Sequence, residues 1–291
     1  MPVSSLISVE ELHSLIGENS LLVFDCRFSL KNPAEGVDRY RQGHIPGAIY
    51  ANLDEDLSRL TTPHCGRHPL PPSDAFRHWL ESQGVGDDSL LVCYDDVGGA
   101  IAARLWWMAG WIGVENVRLL DGGFDAWCAA GFGTDTREPE PVPATLSESR
   151  PRREICDIDE VSHIASGDSD CLLLDAREAA RFEGRHEPLD PVAGHIPRSI
   201  NAPFGANLDE RKRFLAPDLL RARFESLLGA EIDPCGVVHM CGSGVTACHN
   251  LLAMEVAGLN GSRLFPGSWS QWVDDLERPV ETGRDTMEDK E

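Results

Sequence analysis

Short apolar runs alternate with amphipathic segments along this chain. Four of these runs are almost continuously apolar, unlike strands that have one face in solvent. They are LLVF at residues 21–24, LLVCY at 90–94, LLL at 172–174 and GVVHM at 236–240. Such runs are typical of strands buried on both faces, and the segments between them have the spacing of helices. The alternation predicts an α/β fold in which helices flank a parallel sheet on both faces.

Helix starts are marked at two corresponding places. Ser8 is followed three residues later by Glu11, and Asp157 is followed at the same distance by Glu160. This is the spacing of a capping box, in which two side chains satisfy backbone N–H groups of the first helical turn. We therefore expect a helix to begin after each of these residues.

The chain also repeats itself. Asp25 in LLVFDCR and Asp175 in CLLLDAR are 150 positions apart, and His44 and His195 of the two GHIP segments are 151 apart. LVCYDDVGGAIAARLWWM matches VVHMCGSGVTACHNLLAM at a separation of 146. Ordered matches whose separation drifts slightly indicate a duplicated domain with small insertions and deletions in its loops.

We expect two tandem domains, each a parallel sheet flanked by helices. The first covers residues 1–132, a proline-rich linker covers 133–152, and the second domain covers 153–280. Residues 281–291 are a polar tail for which we expect no packing.

Composition and charge narrow the functional classes. The 291 residues are 42% hydrophobic, enough for two cores, and no apolar run reaches the roughly 20 residues of a membrane span. The net charge of −22 argues against nucleic acid and anionic membranes as partners. The nine cysteines include no C-x-x-C pair, and we expect them to be reduced thiols and not disulfides. The first residues do not resemble a signal peptide. We predict a cytoplasmic protein with no metal and no cofactor.

The most distinctive chemistry lies after the last long apolar run. Cys241 follows GVVHM and leads through a turn into a helical segment. Gly242 and Gly244 allow tight curvature, while Val245 and Thr246 begin the helix. Successive backbone N–H groups ahead of a helix form a cradle for an anion, which would stabilise a thiolate.

The two copies differ at this position. Cys241 aligns with Asp95, so CGSGVT in the second copy replaces DDVGGA in the first. Only the second copy therefore carries a nucleophile at the carboxyl end of a strand, where open sheets bind their ligands. The alternative is that Cys241 is a small buried apolar residue, as many free cysteines are.

Two other interpretations of the loop are weaker. GSGVTA fits the dinucleotide pattern G-x-G-x-x-A, but that pattern normally opens its domain, whereas this copy lies near the end. The phosphatase loop C-x-x-x-x-x-R requires arginine where Ala247 stands. Without a guanidinium the loop lacks the clamp that holds a phosphoryl dianion.

The duplication, the paired GHIP segments, the Asp95 and Cys241 asymmetry and the CGSGVT loop resemble the two-domain rhodanese-type sulfurtransferases, and the loop is most similar to that of 3-mercaptopyruvate sulfurtransferases. The resemblance covers nearly the whole chain. It implies an inactive first domain and a catalytic second one. It also implies that Cys241 accepts a sulfane sulfur as a persulfide and passes it to a thiol or to cyanide.

The resemblance implies further site residues. Ser243 would assist the chemistry beside the sulfur, and a histidine of the first domain would reach it. That histidine maps to His44, with Asp38 or Glu35 as its acidic partner, although His195 occupies the same motif in the other copy.

The resemblance also implies which residues bind the substrate, namely those of the loop and one or two arginines. Gly242, Gly244, Val245 and Thr246 would surround the bound donor. A carboxylate-binding arginine of the family falls on Arg181, whose alternative interpretation is a solvated helix residue. A second such arginine has no aligned position, and Arg185 is a nearby candidate.

The donor is inferred from the charge of the loop, and the acceptor is what the resemblance implies. Thiosulfate-selective relatives usually carry two basic residues after the cysteine, and here Gly242 and Ser243 are uncharged. This favours 3-mercaptopyruvate as the small-molecule donor, with thiosulfate as the alternative. The acceptor is expected to be a thiol, such as thioredoxin or a low-molecular-weight thiol. A non-enzymatic persulfide carrier is the second hypothesis.

Overall fold

The computed structural model describes residues 4–59, 61–148, 150–229 and 233–283. These residues form two compact units. Unit 1 takes the described residues of Met1–Leu60, Leu70–Arg153 and Leu208–Phe214. Unit 2 takes those of Thr61–Pro69, Glu154–Asn207 and Leu215–Glu291. Each unit therefore includes a short segment from the other half of the sequence, which the hydrophobic pattern does not predict.

Unit 1 is built on a parallel sheet with the strand order β1-β5-β4-β2-β3. Its long central strands coincide with the apolar runs, as predicted. The strands of the sheet are β1 (Leu6–Ile7), β2 (Leu21–Asp25), β3 (Ile49–Tyr50), β4 (Leu90–Tyr94) and β5 (Val117–Leu120).

The helices of unit 1 flank this sheet. They are α1 (Val9–Leu15), α2 (Ala34–Gln42), α3 (Ser73–Ser82), α4 (Ala102–Trp111) and α5 (Gly123–Ala129). Ser8 caps α1 as predicted, since its hydroxyl accepts a hydrogen bond from the N–H of Glu11. The core between sheet and helices contains Leu12, Val92 and Trp127.

Unit 2 repeats the architecture with four strands in the order β7-β6-β8-β9, all parallel. These strands are β6 (Leu172–Asp175), β7 (Ser199–Asn201), β8 (Val237–Met240) and β9 (Arg263–Leu264). Asp175 and Met240 are paired neighbours at the ends of β6 and β8. The residues that follow these two strands therefore emerge side by side at one edge of the sheet.

The helices of unit 2 cover its sheet. They are α6 (Ile158–Ser166), α7 (Ala179–Phe182), α8 (Pro217–Leu228), α9 (Ala247–Val256) and α10 (Ser268–Trp272), with short 3-10 helices at Phe204–Asn207 and Pro234–Gly236. The predicted capping box at Asp157 and Glu160 is complete. Helix α9 is buried along most of its length, from Ala247 to Met254, so the loop that precedes it starts from a rigid element.

An aspartate and arginine pair ties the loops of each unit at the sheet edge. Arg27 binds Asp25 at 2.6 Å and the carbonyl oxygen of Gly43 at 2.7 Å. Arg177 binds Asp175 and the carbonyl oxygen of Gly194 at the same two distances. All four charged side chains are buried. Because the two units share this arrangement, it stabilises the fold and does not distinguish one unit from the other.

The predicted fold class is confirmed, since each unit is a parallel sheet flanked by helices. Within the described ranges, no helix has the length and apolar character needed to cross a bilayer. The same ranges contain no group of three or more His, Cys, Asp and Glu side chains placed to hold a metal ion.

Candidate active site

Cys241 follows β8 directly and is held by helix α10. Its N–H donates to the Ser268 hydroxyl at 3.0 Å, and its carbonyl oxygen accepts from the N–H of Trp269 at 3.0 Å. Only 2% of Cys241 is exposed, although it lies at the carboxyl edge of the sheet. The sulfur therefore occupies a fixed, water-poor position of the kind in which electrostatic contacts are strong.

The corresponding loop of unit 1 encloses a carboxyl group of its own, that of Asp95. The carboxylate of Asp95 accepts hydrogen bonds of 2.8 to 2.9 Å from four backbone N–H groups, those of Val97, Gly99, Ile101 and Ala102. Burial raises the pKa of Asp95, and these four hydrogen bonds act in the opposite direction. This loop geometry therefore gathers N–H groups around a negative group.

The loop of unit 2 shares one glycine conformation with that of unit 1 and then diverges, since Gly99 has φ +90° and the aligned Val245 has no positive φ. Gly244 has φ +74°, and Gly98 at the aligned position of unit 1 has φ +73°. Thr246 ends the loop at the first turn of α9, and Val245 is buried beside it. In the place where unit 1 carries a carboxylate, unit 2 presents the Cys241 side chain. The predicted asymmetry is therefore a difference in the side chain that follows the strand, a carboxyl group in unit 1 and a thiol in unit 2.

Replacing Gly244 with alanine is expected to damage this loop. A Cβ at Gly244 would lie 2.2 Å from the carbonyl oxygen of Pro266, in addition to the strain of a positive φ. Gly258 is a matched control, since its φ is +76° and an added Cβ would meet only Arg221 Nη1 at 3.9 Å. We expect Gly258→Ala to lose about 1–3 kcal/mol from strain alone, and Gly244→Ala to lose more. Urea unfolding of both variants measures the difference; equal losses would contradict a steric role for Gly244.

Ser243 is in hydrogen-bond contact with a histidine. Its hydroxyl oxygen lies 2.7 Å from Nδ1 of His68, and both residues are buried. His68 belongs to the segment Thr61–Pro69 of unit 2. Within that unit the segment is anchored by the Arg67 N–H, which donates to Ser270 Oγ at 3.0 Å. A hydroxyl paired with an imidazole in this way can transfer a proton at the edge of the loop.

This corrects the prediction for His44. In unit 1, Nδ1 of His44 lies 2.8 Å from the carbonyl oxygen of Tyr40, and Nε2 lies 3.0 Å from that of Arg137. The ring also stacks on Tyr40, just as His195 stacks on Phe182 in unit 2. The GHIP histidine therefore has a packing role in both units.

A signal for His68 was present in the sequence. His44 has a counterpart in the second copy, whereas His68 lies in GRHPLP, a segment that is not repeated. The nucleophile is recognised by having no cysteine counterpart in the other copy. By the same criterion, a histidine without a counterpart is the better candidate, and this favours His68. The mapping to His44 followed a repeated motif, and a repeated motif is a sign of shared structure.

Arg181 lies next to the loop and is held by acids. Its guanidinium binds both carboxylate oxygens of Glu187 at 2.8 to 3.2 Å and Asp190 at 3.1 Å. A Cβ added at Gly242 would lie 3.4 Å from both terminal nitrogens of Arg181. Burial opposes the charge on Glu187, but hydrogen bonds from Arg181 and from backbone N–H groups leave its pKa lowered overall. Arg181 is therefore a charged group beside Gly242 and not a solvated helix residue.

Arg185 is placed differently from the prediction. Its side chain is 63% exposed and pairs with Glu183. The second guanidinium beside Gly242 belongs to Arg67, whose Nη2 would lie 2.9 Å from a Cβ added there. Sequence alignment could not find Arg67, because it comes from a distant segment and not from the stretch after β6.

Known proteins resemble this chain over almost its entire length. A protein-family model described as "Rhodanese-like domain" matches residues 8–130 and 158–275. The "Probable 3-mercaptopyruvate sulfurtransferase" of Pseudomonas aeruginosa is 44% identical over 97% of this chain and 100% of its own length. The thiosulfate sulfurtransferase of Rattus norvegicus is 30% identical over 87% of this chain and 85% of its own.

Solved structures agree with these matches. The 3-mercaptopyruvate sulfurtransferase from Leishmania major superposes with a TM-score of 0.82 at 30% identity, covering 96% of this chain and 77% of that one. The chain belongs to the rhodanese-like domain family, of which it contains two copies. It is an enzyme, a sulfurtransferase, that works on a sulfur donor and a thiol or cyanide acceptor.

Proposed function

We propose that this chain transfers a sulfur atom from 3-mercaptopyruvate, through a persulfide on Cys241, to a thiol acceptor. The observation that carries the proposal is the loop after β8, in which Cys241 stands two residues before the Ser243 that contacts His68. Catalysis is assigned to the second domain, 153–280, together with the segment 61–69. The first domain, 1–132, is inactive because the Asp95 carboxylate fills its cradle.

The first half-reaction forms the persulfide. The Cys241 thiolate attacks the donor sulfur, a bond forms between the two sulfurs, and the donor's carbon–sulfur bond breaks with its electron pair left on carbon. Ser243 takes the donor's thiol proton while giving its own to His68. The same pair returns a proton to the carbon, which yields pyruvate. Backbone N–H groups ahead of α9 would stabilise negative charge on the sulfur.

The second half-reaction restores the enzyme. An acceptor thiolate attacks the outer sulfur of the persulfide, the bond to Cys241 breaks, and the Cys241 thiolate leaves. The acceptor carries the sulfur away as its own persulfide, or as thiocyanate when the acceptor is cyanide. We propose thioredoxin or a low-molecular-weight thiol as the acceptor, and the cytoplasm as the compartment, since a thiol nucleophile requires a reducing environment.

The choice of donor rests on charge at the loop. Gly242 and Ser243 contribute no cation, and Arg181 is already paired with Glu187. Such a site suits the single carboxylate of an α-keto acid better than a dianion. The name of the Pseudomonas aeruginosa relative supports this donor, and that of the Rattus norvegicus relative supports thiosulfate as the alternative. The ratio of kcat/KM for the two donors, measured with one acceptor, tests the assignment, and a preference for thiosulfate would overturn it.

A persulfide carrier is the rival function. A carrier would release one sulfur equivalent per chain and then stop, whereas an enzyme releases many. Steady-state pyruvate and sulfide release with excess donor and dithiol distinguishes the two. We expect many turnovers, because Ser243 and His68 form a proton pathway that a carrier does not need.

Arg181 is expected to bind the donor carboxylate. Hydrogen bonds to charged groups are worth roughly 1.5–3 kcal/mol, so Arg181→Ala should lose about tenfold to a hundredfold in kcat/KM for 3-mercaptopyruvate. Lysine keeps the charge without the planar fork, and Arg181→Lys should recover only part of the loss.

The matched control for Arg181 is Arg185→Ala, which removes an exposed arginine four positions away. It should leave both kinetic constants near wild type. A donor KM that responds to Arg185→Ala and not to Arg181→Ala would contradict the assignment.

A further inference from the structure

Arg67 has features that an ion pair on the surface of a unit does not explain. Its Nη1 pairs with Asp190, whose carboxylate is 4% exposed, and its Nη2 would lie 2.9 Å from a Cβ added at Gly242. Its Nε is buried and has no hydrogen-bond partner among the described residues. A buried guanidinium N–H without an acceptor is costly, and an arginine kept in place at such a cost is expected at a functional site.

Two guanidinium groups therefore flank the same glycine. A Cβ added to Gly242 would lie 2.9 Å from Arg67 and 3.4 Å from Arg181. The absence of a side chain at Gly242 lets both guanidinium groups approach the loop next to Cys241, where they can face a small planar anion. A carboxylate has two oxygens and can accept from both guanidinium groups at once.

We propose that Arg67 is a donor-binding residue, and that with Arg181 it forms a clamp for the donor carboxylate above Gly242. The inference rests on the proposed function and deepens it, since it assigns the second guanidinium of the site to a segment remote in sequence. Arg67 immediately precedes His68, so one segment supplies both a carboxylate contact and the proton acceptor.

Asp190 influences how much negative charge a donor bound between Arg67 and Arg181 should carry. It binds Arg67 and also lies 3.1 Å from Arg181 Nη2, while Glu187 holds the rest of Arg181. Arg177 also binds Glu187, at 3.4 Å, and pairs with Asp175, so three guanidinium groups face three carboxylates and the cluster is balanced before a donor binds. Burial raises the pKa of Asp190 and Glu187 raises it further, while Arg67, Arg181 and Arg177 oppose them. A balanced cluster favours a donor with one negative charge over a donor with two.

The rival explanation is that Arg67 only fastens its segment to unit 2 through Asp190. The two explanations predict opposite effects for Asp190→Asn. If the ion pair is structural, Arg67→Ala and Asp190→Asn both lower thermal stability and harm both donors alike. If Arg67 binds the donor, removing the competing carboxylate leaves a net positive clamp, and affinity for anions rises.

The first experiment measures kcat/KM for 3-mercaptopyruvate and thiosulfate, together with thermal unfolding, in the full-length protein. We expect Arg67→Ala to raise the KM for 3-mercaptopyruvate about tenfold to a hundredfold and Arg67→Lys to recover part of it. Asp190→Asn should shift the donor ratio towards thiosulfate. Arg263→Ala is the matched control, since Arg263 is a unit 2 arginine paired with Glu160, and it should leave the donor ratio unchanged.

The second experiment separates this inference from the proposed function. Calorimetric titration of pyruvate into Cys241→Ser, with and without Arg67→Ala, measures carboxylate binding without turnover. We expect the second substitution to weaken pyruvate binding about tenfold or more. Unchanged binding, or equal losses for both donors in Arg67→Ala and Asp190→Asn, would overturn the clamp while sulfur transfer stands. A wild-type protein that binds pyruvate but transfers no sulfur from either donor would overturn the proposed function instead.

Discussion

Cys241→Ser is expected to abolish sulfur transfer, with a loss of kcat on the order of 1000-fold or more. The serine hydroxyl remains protonated near neutral pH and cannot form the sulfur–sulfur bond on which both half-reactions depend. The fold should survive, because Cys241 contributes to the loop through its backbone N–H and carbonyl groups, which serine retains. Steady-state pyruvate release and thermal unfolding measure the two effects separately.

Mass spectrometry provides a direct test of the same residue. Wild-type protein treated with donor in the absence of acceptor should gain one sulfur atom on the peptide that contains Cys241. Cys235→Ser is the control, since Cys235 is an exposed free cysteine of the same unit, and it should retain turnover. Turnover that persists in Cys241→Ser, or sulfur found only on another cysteine, would refute the persulfide assignment.

His68→Ala should reduce kcat for 3-mercaptopyruvate by about 100- to 10,000-fold, the range of general acid–base contributions. In the proposed mechanism the donor's thiol proton is taken by the Ser243 and His68 pair, whose atoms are 2.7 Å apart. Thiosulfate carries no thiol proton at neutral pH, so its kcat should fall much less. Ser243→Ala should resemble His68→Ala, and the double variant should lose little more, because the two act as one unit.

His44→Ala is the control for this prediction. Its ring nitrogens bind two backbone carbonyl oxygens and its ring stacks on Tyr40. Its loss should lower the free energy of unfolding by about 1–3 kcal/mol and leave the donor ratio unchanged. Equal effects of His68→Ala on both donors would indicate a structural role for His68, and a donor-specific effect of His44→Ala would restore the original mapping.

Much of the fold was predictable because it depends on local patterns. The central strands β2, β4, β6 and β8 coincide with continuous apolar runs, and both predicted capping residues begin helices. The sequence does not predict the short strands β1, β3, β7 and β9, because two or three residues are too few to show a repeating pattern of apolar and polar side chains. The exchange of short segments between the units also had no local signal.

The sequence by itself determined the duplication, the α/β class and Cys241 as the residue that distinguishes the two copies. Each of these follows from patterns within one copy or from a comparison of the two. Only the tertiary structure decided which histidine and which second arginine reach the loop. His68 meets Ser243 across 175 positions of sequence, and Arg67 meets Asp190 across 123. Contacts at such separations depend on the path of the chain, and neither hydrophobic period nor motif spacing encodes that path.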